Sequence, residues 1–274
     1  MRIYHLSDAH ADFHSRTKPR HWENDTIAYA NLLIHNTIQH TGAIPSGSVA
    51  VINGDLSNNN THSKALLRVF SETFAHVLVV FGNHDYYLES KSIENKFKKH
   101  SRNRTDALQE DCRKLGLTNV QFLDNTCVTI DNIRFFGSTM WYPLSDEAEK
   151  QARDMGINDM FRIKGLNINL EHEKCVNAYH EALFDTENPL DIAIVHVPIT
   201  PVRLHQEQGI LCRFTPVNGL APLTLQGHCH EQSTYTFGDK IQYMNAIGYG
   251  QYDSHARSNA LRFHAIEYTK EPTN

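Results

Sequence analysis

Five short, largely apolar segments of this chain each end at polar residues that can bind metal ions. The segments end at Leu6, Ile52, Phe81, Val195 and Gln226. Continuous apolar runs of this length are typical of strands that are buried on both faces of a parallel sheet. Because the carboxyl ends of parallel strands meet at one edge of a sheet, open α/β proteins place their ligand sites there. The sequence therefore predicts an α/β fold in which residues from five distant segments converge in one cleft.

Strands and helices alternate in the first third of the chain. Strands are predicted over residues 2–6, 48–52 and 77–81. Between them, apolar residues at helical spacing predict helices over 24–39 and 63–75. Right-handed crossovers in such a βαβαβ unit place the three strands side by side in one sheet.

A second group of strands is predicted from the middle of the chain onwards. Residues 120–123, 127–130 and 133–137 are separated by short Asp-Asn turns, a spacing that favours antiparallel hairpins. Further strands are predicted over 191–197, 223–226, 234–237, 241–245 and 261–268, and further helices over 93–115 and 171–184. These strands are too many for one short sheet, so we expect two sheets packed on each other.

The chain of 274 residues shows no Pro/Ser/Gly linker, no repeat and no low-complexity segment. Its content of 40% hydrophobic and 21% charged residues is ordinary for a globular protein. We predict a single domain over residues 1–274. Loop and helix excursions near 86–118 and 141–170 are expected to form the walls of the cleft.

The charge of the chain disfavours nucleic acid as a partner, although it leaves that alternative open. The formal net charge is −5, which does not suit a polyanion-binding surface. One stretch is locally basic and contains Lys91, Lys96, Lys98, Lys99, Arg102 and Arg104. Such a run is typical of a solvated surface, and contact with a substrate phosphate is the alternative.

The sequence contains few indications of cellular compartment or oligomeric state. No apolar run approaches the roughly 20 residues that span a bilayer, and residues 1–8 lack the apolar core of a signal peptide. We therefore expect a cytoplasmic protein with no membrane partner; nothing indicates an oligomeric state. The cysteines are odd in number and never form a Cys-x-x-Cys pair, which predicts free thiols. They are Cys112, Cys127, Cys175, Cys212 and Cys229.

The residues that follow the predicted strands form a mixed set of metal ligands. The set comprises Asp8, His10, Asp55, Asn83, His196, His228 and His230. Carboxylate, imidazole and amide groups together suit Mn, Fe, Zn, Co or Ni better than calcium. Seven groups exceed what one ion needs and suit two ions about 3.5–4 Å apart. In each of two pairs, Asp8 with His10 and His228 with His230, an extended backbone would project both side chains to one side.

The ordered set of motifs resembles the calcineurin-like metallophosphoesterases. The motifs are Asp8-x-His10, Gly54-Asp55, Gly82-Asn83-His84-Asp85, His196 and Gly227-His228-x-His230. Each motif alone is weak, but together they cover residues 8–230 in the family's order. The resemblance implies a four-layer α-β-β-α sandwich with two mixed β-sheets flanked by helices.

The resemblance also implies a role for each residue of the set. Asp8, His10, Asp55 and His230 would hold the first divalent metal ion, and Asp55, Asn83, His196 and His228 the second. His84 would face the oxygen of the leaving group and protonate it. We further expect Asp85 to orient His84, and Asp12 to orient His10 unless Asp12 is only a turn or cap residue.

The implied activity is two-metal-dependent hydrolysis of a phosphate ester by a metal-bridging hydroxide. After Asp55 the chain continues Leu56-Ser57-Asn58 where protein Ser/Thr phosphatases have an acid and an arginine, which disfavours a phosphoprotein substrate. We expect a small phosphodiester or phosphomonoester, such as a nucleotide, as in the branch with cyclic-nucleotide phosphodiesterases and small phosphohydrolases. The alternatives are a nuclease-type phosphodiesterase and a metal-binding, non-catalytic interaction scaffold.

Two further features have no assigned role. The Gly137-Ser138-Thr139-Met140-Trp141 run and the later Asn158-Asp159 pair also resemble uncharacterised members of that branch. Four aromatic residues near the predicted cleft could stack on a base or aryl group, but packing between sheet and loops is the favoured interpretation. They are Tyr86, Tyr87, Trp141 and Tyr142.

Overall fold

A computed structural model describes residues 1–14, 19–200, 214–250 and 259–270, and the strands in these ranges form two sheets. The first sheet contains β1 (Arg2–Leu6), β2 (Val49–Asn53), β3 (His76–Val80), β4 (Val120–Phe122) and β11 (His264–Glu267). Their order is β11-β1-β2-β3-β4, and only β11 runs antiparallel to its neighbour. The βαβαβ prediction for the first third of the chain is therefore confirmed.

The second sheet has parallel strands in its centre and antiparallel strands at both edges. It contains β5 (Thr126–Ile130), β6 (Ile133–Ser138), β7 (Ile192–Val195), β8 (Leu223–Gln226), β9 (Gln232–Phe237) and β10 (Lys240–Asn245). The order is β5-β6-β7-β8-β10-β9, with antiparallel pairing for β5–β6 and β10–β9. An isolated bridge between Ser7 and Ala246 joins the two sheets just beyond β1 and β10.

Helices cover the outer faces of both sheets. They are α1 (Ala11–His14), α2 (Trp22–Thr41), α3 (Asn60–Thr73), α4 (Lys91–Lys96), α5 (Arg102–Lys114), α6 (Asp146–Asp154), α7 (Asp159–Arg162) and α8 (Ile168–Leu183), with 3-10 turns at Pro19–His21 and Asn83–Tyr86. Leu33 of α2 and Phe70 of α3 pack in one core with Tyr4 of β1. Tyr179 of α8 packs edge-on against Phe136 of β6, at 5.7 Å between ring centroids.

A separate apolar core lies between the two sheets. Ile3, Val51 and Leu78 of the first sheet meet Ile194 and Leu225 of the second, all fully buried. Alternate residues of each strand point to opposite faces, so strands buried on both sides must be apolar at nearly every position. Helices, two mixed sheets and helices again make four layers, as the resemblance implied. Single-domain organisation over residues 1–274 stays a prediction.

The predicted hairpin between residues 120–123 and 127–130 is wrong. β4 pairs parallel with β3, and Leu123 donates to the carbonyl of Val79, so β4 lies in the first sheet and β5 in the second. The Asp-Asn turn between them carries the chain from one sheet to the other. A local turn signal predicts a change of direction but cannot specify which strand becomes the neighbour.

Both excursions differ from the prediction: the helix predicted in the first is interrupted, and the second contains helices where a loop-rich segment was predicted. Residues 93–115 form two helices instead of one, because Lys98 and Lys99 adopt left-handed φ angles of 53° and 55° between α4 and α5. The 141–170 excursion contains the short helices α6 and α7. Among the described residues, no helix combines the length and apolar character needed to cross a membrane. Cys112, Cys127 and Cys175 are free thiols, Cys229 is buried, and Cys212 lies outside the described residues.

One histidine is buried in the inter-sheet region and makes stability depend on pH. His5 on β1 is fully buried, and neither ring nitrogen has a hydrogen-bond partner in the described part of the chain. Burial lowers the pKa of His5 to about 3, with the charge of His264 adding to the shift and the Asn53 side chain partly opposing it. The folded protein therefore keeps His5 neutral between about pH 3 and the unfolded value of 6.5.

Replacing His5 with Leu should stabilise the protein progressively as the pH falls. In that pH window the unfolded wild-type chain binds a proton that the folded protein does not, so the free energy of unfolding decreases with falling pH. The difference in the free energy of unfolding between variant and wild type should be about 3 kcal/mol more favourable to the variant at about pH 4.5 than at pH 7.5. Urea unfolding at both pH values measures this gain. For the control His35→Leu, at an exposed position, the difference in free energy of unfolding from wild type should be the same at both pH values. A difference for His5→Leu that is also independent of pH would contradict the prediction.

Candidate metal centre

The structure brings all seven predicted ligands together at the carboxyl edge of the two sheets. In a first group, Nε2 of His10 lies 3.0 Å from Nε2 of His230. Oδ1 of Asp8 lies 3.6 Å from the His230 nitrogen, and Oδ2 of Asp55 lies 3.6 Å from the His10 nitrogen. These are four potential donor atoms from three different loops, and those of Asp8, His10 and His230 all lie within 4.8 Å of one another.

A second group shares Asp55 with the first. The other carboxylate oxygen of Asp55, Oδ1, lies 3.5 Å from Nε2 of His196. Oδ1 of Asn83 lies 3.0 Å from that same nitrogen and 3.2 Å from Nδ1 of His228. Asp55 thus presents one oxygen to each group, an arrangement in which its carboxylate could bridge two cations.

Most of these residues have a left-handed backbone. The φ angles are 50° at Asp8, 39° at His10, 53° at Asp55, 71° at His228 and 50° at His230. The prediction that each two-apart pair projects from an extended backbone is therefore wrong. The side chains converge because each loop turns back sharply after its strand. Such conformations cost about 1–3 kcal/mol each in non-glycine residues and concentrate at ligand sites, where the surrounding structure enforces them.

Two glycines allow the loops after β2 and β3 to touch behind the ligands. Gly54 has a φ of 79°, and a Cβ there would lie 2.4 Å from the backbone nitrogen of Gly82. A Cβ at Gly82 would lie 2.2 Å from Oδ1 of Asp55 and 2.6 Å from Cε1 of His196. Side chains at either position would push the ligand-bearing loops apart.

The hydrogen bonds of His196 and Asn83 show that the second group fits a cation. Nδ1 of His196 lies 2.7 Å from the carbonyl oxygen of Asn53, which only accepts, so Nδ1 carries the proton. Burial lowers the pKa of His196, so the ring is neutral and its Nε2 bears a lone pair. That lone pair faces the amide oxygen of Asn83 at 3.0 Å. Two acceptors at this distance repel each other unless a cation lies between them.

The titration behaviour of the first group supports the same conclusion. Burial raises the pKa of Asp55 well above its usual range, and the carboxylates of Asp8 and Asp85 add to the rise. Burial also lowers the pKa of His10 well below its usual range, with the imidazoles of His84 and His230 adding to the shift. A cation would stabilise ionised carboxylates and neutral imidazoles together, because it favours both forms.

His84 lies beside the first group, and both of its ring nitrogens have partners. Nδ1 is 2.7 Å from Oδ1 of Asn58, and Nε2 is 2.9 Å from the hydroxyl of Tyr249. Burial lowers the pKa of His84 well below its usual range, with His230 and other nearby imidazoles adding to the shift. The structure therefore presents a neutral imidazole that is held by Asn58 and covered by a phenol.

The two predicted orienting carboxylates have other partners. Oδ2 of Asp85 accepts from the backbone N–H groups of Asp55 at 2.8 Å and Gly82 at 2.9 Å, so Asp85 fastens the ligand loops and does not orient His84. Asp12 accepts from the backbone of Asn58 at 3.2 Å and makes no such bond to His10. Both predictions of orientation are wrong, because backbone N–H groups in sharp turns compete for these short side chains.

The basic stretch 91–104 contributes a buried structural residue. Arg104 is 1% exposed, and its guanidinium donates to the carbonyl oxygens of His84, Tyr87 and Ser57. The N–H groups of the Arg104 guanidinium therefore bind carbonyl oxygens of the protein itself. Arg102 pairs with Asp124 and Glu171 across the neighbouring elements. The alternative of a phosphate-binding role is wrong for Arg104.

The four candidate stacking residues are packed inside the protein. Tyr86, Tyr87, Trp141 and Tyr142 are at most 2% exposed, so the packing interpretation is confirmed. Two other aromatic residues beside the ligands, Phe13 and Tyr249, are half-buried, with ring centroids 4.6 Å apart. The Tyr249 ring also lies 4.3 Å from that of His10 and 4.4 Å from that of His230. No sequence pattern indicated Tyr249, because its loop reaches the site through contacts between distant segments, such as the Ser7–Ala246 bridge and the hydrogen bond from the backbone N–H of Gly248 to the carbonyl of Asp8.

Comparison with known proteins identifies the family. The family model for calcineurin-like phosphoesterases matches residues 1–232. The chain belongs to the calcineurin-like phosphoesterase family. Uncharacterized protein L509 of Acanthamoeba polyphaga mimivirus is 25% identical to this phosphoesterase in an alignment of 232 residues, and the match covers 75% of this chain and 79% of the relative.

A solved structure supports the fold of this phosphoesterase. The crystal structure of the phosphopantetheinyl hydrolase PptH from Mycobacterium tuberculosis gives a TM-score of 0.64 at 15% sequence identity. The similarity covers 90% of this chain and 89% of that chain. This protein is a metal-dependent phosphoesterase, a hydrolase with groups of His and Asp residues that could bind divalent metal ions.

Proposed function

We propose that this phosphoesterase hydrolyses small phosphodiesters or phosphomonoesters with two divalent cations. Asp8, His10, Asp55 and His230 would hold one cation, and Asp55, Asn83, His196 and His228 the other. The observation that carries the proposal is the position of Asp55, whose two oxygens face the two groups separately. The mixed donor set favours Mn, Fe, Zn, Ni or Co.

The chemistry needs contributions from both the cations and the chain. When bound, the two cations would activate a water molecule and neutralise charge that develops on the phosphoryl oxygens. Nε2 of the neutral His84 and the Tyr249 hydroxyl form a hydrogen-bonded pair beside the first group. We propose that this pair takes up the proton that water loses and passes it to the leaving-group oxygen. Asn58 holds the imidazole in place for this transfer.

The surroundings of the site favour a substrate with a planar group. Phe13 and Tyr249 form a half-buried aromatic surface next to His10 and His84. A nucleobase or aryl substituent could stack there, and such stacking is independent of base identity. We therefore propose a nucleotide-like phosphate ester, with the net charge of −5 arguing against long nucleic acid.

Turnover of p-nitrophenyl phosphate and bis-p-nitrophenyl phosphate by metal-stripped protein tests this proposal. Each substrate is assayed with added Mn, Ni, Zn or Mg, and metal content is measured in parallel. Turnover of the diester directs the search towards cyclic and dinucleotide diesters, and turnover of the monoester alone indicates a phosphatase. Stoichiometric metal without turnover of either model substrate or of nucleotides would contradict the proposal and favour a binding scaffold. Cleavage of DNA faster than of any nucleotide would favour a nuclease.

Removal of metal should abolish turnover reversibly. We expect chelation followed by desalting to reduce the rate at least about 100-fold, because the activated water and the charge neutralisation are lost together. Stoichiometric Mn or Zn should restore the rate, and the circular dichroism spectrum should stay that of a folded protein throughout. Full activity in metal-stripped protein would contradict the metal-dependent mechanism.

A further inference from the structure

A buried carboxylate behind the second group controls the orientation of Asn83. Asp159, the first residue of α7, is only 3% exposed and lies in the 141–170 excursion. Its Oδ1 accepts from Nδ2 of Asn83 at 2.8 Å and from the hydroxyl of Tyr87. Its Oδ2 accepts from the hydroxyl of Tyr142 at 2.5 Å. The Asn158-Asp159 pair that had no assigned role in the sequence therefore reaches the metal centre.

These contacts fix which end of the Asn83 amide faces the ligands. A carboxylate only accepts, so the amide nitrogen must point towards Asp159 and the amide oxygen away from it. The Tyr87 hydroxyl donates to Asp159 and accepts from the same nitrogen at 3.1 Å, which satisfies both amide hydrogens. The amide oxygen is thereby directed at His196 and His228.

The position of Asp159 at a helix start does not explain its contacts. Acidic residues in a first turn commonly interact with free backbone N–H groups. The Asp159 carboxylate instead accepts hydrogen bonds from three side chains. Asn83 belongs to the 3-10 turn, Tyr87 directly follows that turn, and Tyr142 lies in the loop after β6. Burying a carboxylate is costly unless several hydrogen-bond donors stabilise it, so the buried Asp159 depends on Asn83, Tyr87 and Tyr142 together.

We propose that Asp159, supported by Tyr87 and Tyr142, is a positioning residue that presents the Asn83 oxygen to the second cation. The negative charge behind the amide polarises it and makes its oxygen a stronger ligand. Asp159 thus sets the affinity of the second cation while the first group stays unaffected. The inference rests on the two-cation part of the proposed function, but its test measures metal binding and needs no substrate.

Calorimetric titration of the metal-stripped full chain with Mn²⁺ tests the proposal. Wild-type protein should bind two equivalents. Asp159→Asn and Asp159→Ala should leave the first binding event unchanged and weaken the second by about 10–100-fold, as outer ligand partners typically do. Asp154→Asn, five residues earlier and exposed at the end of α6, is the matched control and should bind both ions as wild type does.

A double-mutant cycle separates positioning from general packing. If Asp159 acts through Asn83, then Asn83→Ala with Asp159→Ala should weaken the second site no more than Asn83→Ala alone. Additive losses would assign Asp159 a merely structural role and overturn the proposal. Wild-type affinity in both Asp159 variants, or a single binding event in wild-type protein, would overturn it as well. Metal binding that depends on Asp159 in a protein without phosphoesterase activity would support this inference and contradict the proposed function.

Discussion

Asp55→Asn is expected to reduce phosphate-ester turnover by about 10³-fold or more and to lower metal stoichiometry. The substitution replaces one carboxylate oxygen by an amide nitrogen, which cannot bind a cation. Because Asp55 presents one oxygen to each group, at 3.6 Å from His10 and 3.5 Å from His196, either orientation of the amide damages one of them. Loss of several kcal/mol of charge stabilisation corresponds to a rate decrease of this size.

The same substitution should stabilise the metal-free protein. Burial and the charges of Asp8 and Asp85 raise the pKa of Asp55 well above its unfolded value, so the folded state favours the protonated carboxyl. The associated stability is present at low pH and is lost as the pH rises through the folded pKa. Asparagine mimics the protonated form at every pH. We therefore expect a higher melting temperature than wild type at neutral pH in the presence of a chelator.

The two readouts together exclude misfolding as the cause of lost activity. Asp239→Asn, an exposed change of the same kind in the turn between β9 and β10, should alter neither turnover nor melting temperature. A lower melting temperature of metal-free Asp55→Asn would show that the carboxylate supports the fold without metal. Unchanged turnover would remove Asp55 from the bridging position.

The positions of the ligands could be predicted from the sequence because strand order determines them. Asp8, Asp55, Asn83, His196 and His228 each follow a strand of a parallel region, and topology alone brings such positions to one edge. The φ angles could not be predicted, because positive φ is uncommon in residues other than glycine and the enrichment of Asp and His in this region is too weak to single out particular positions.

Contacts between loops were beyond sequence analysis. Asp85 was expected at His84, next to it in the chain, but its carboxylate reaches back to the amides of Asp55 and Gly82. Asn58 and Tyr249 were missed although both contact His84, because each lies on a different loop whose approach depends on packing. Sequence patterns thus indicate which residues gather, whereas the partner of each polar atom depends on the folded backbone.

Arg104 links the two loops that carry Asp55 and His84. From helix α5 its guanidinium reaches the Ser57 carbonyl at 2.7 Å on one loop and the His84 carbonyl at 2.6 Å on the other. Burial raises the pKa of Asp85 to about 6, and the positive charge of Arg104 opposes that rise. Arg104 is thus the counter-charge of the carboxylate that fastens the same two loops.

Arg104→Ala should therefore destabilise the protein by about 3–5 kcal/mol. The truncation leaves a buried carboxylate without its counter-charge and removes the donors from several buried carbonyl oxygens. The free energy of unfolding of Arg104→Lys should lie between those of wild type and Arg104→Ala. Lysine keeps the positive charge, but one ammonium group cannot contact the acceptors on both loops as a planar guanidinium does. Urea unfolding in the presence of a chelator measures these differences without the contribution of metal binding.

A matched variant on the same helix makes the Arg104 result specific. Arg113 on α5 is exposed and pairs with Glu110, so Arg113→Ala should change the free energy of unfolding by less than about 0.5 kcal/mol. Metal affinity should fall in the Arg104 variants and stay constant in Arg113→Ala, because only Arg104 holds ligand-bearing loops. If Arg104→Ala does not fold, Arg104→Lys still gives a measurable difference. A loss below about 1 kcal/mol for Arg104→Ala would mean that Asp85 and the glycine contacts alone hold the loops.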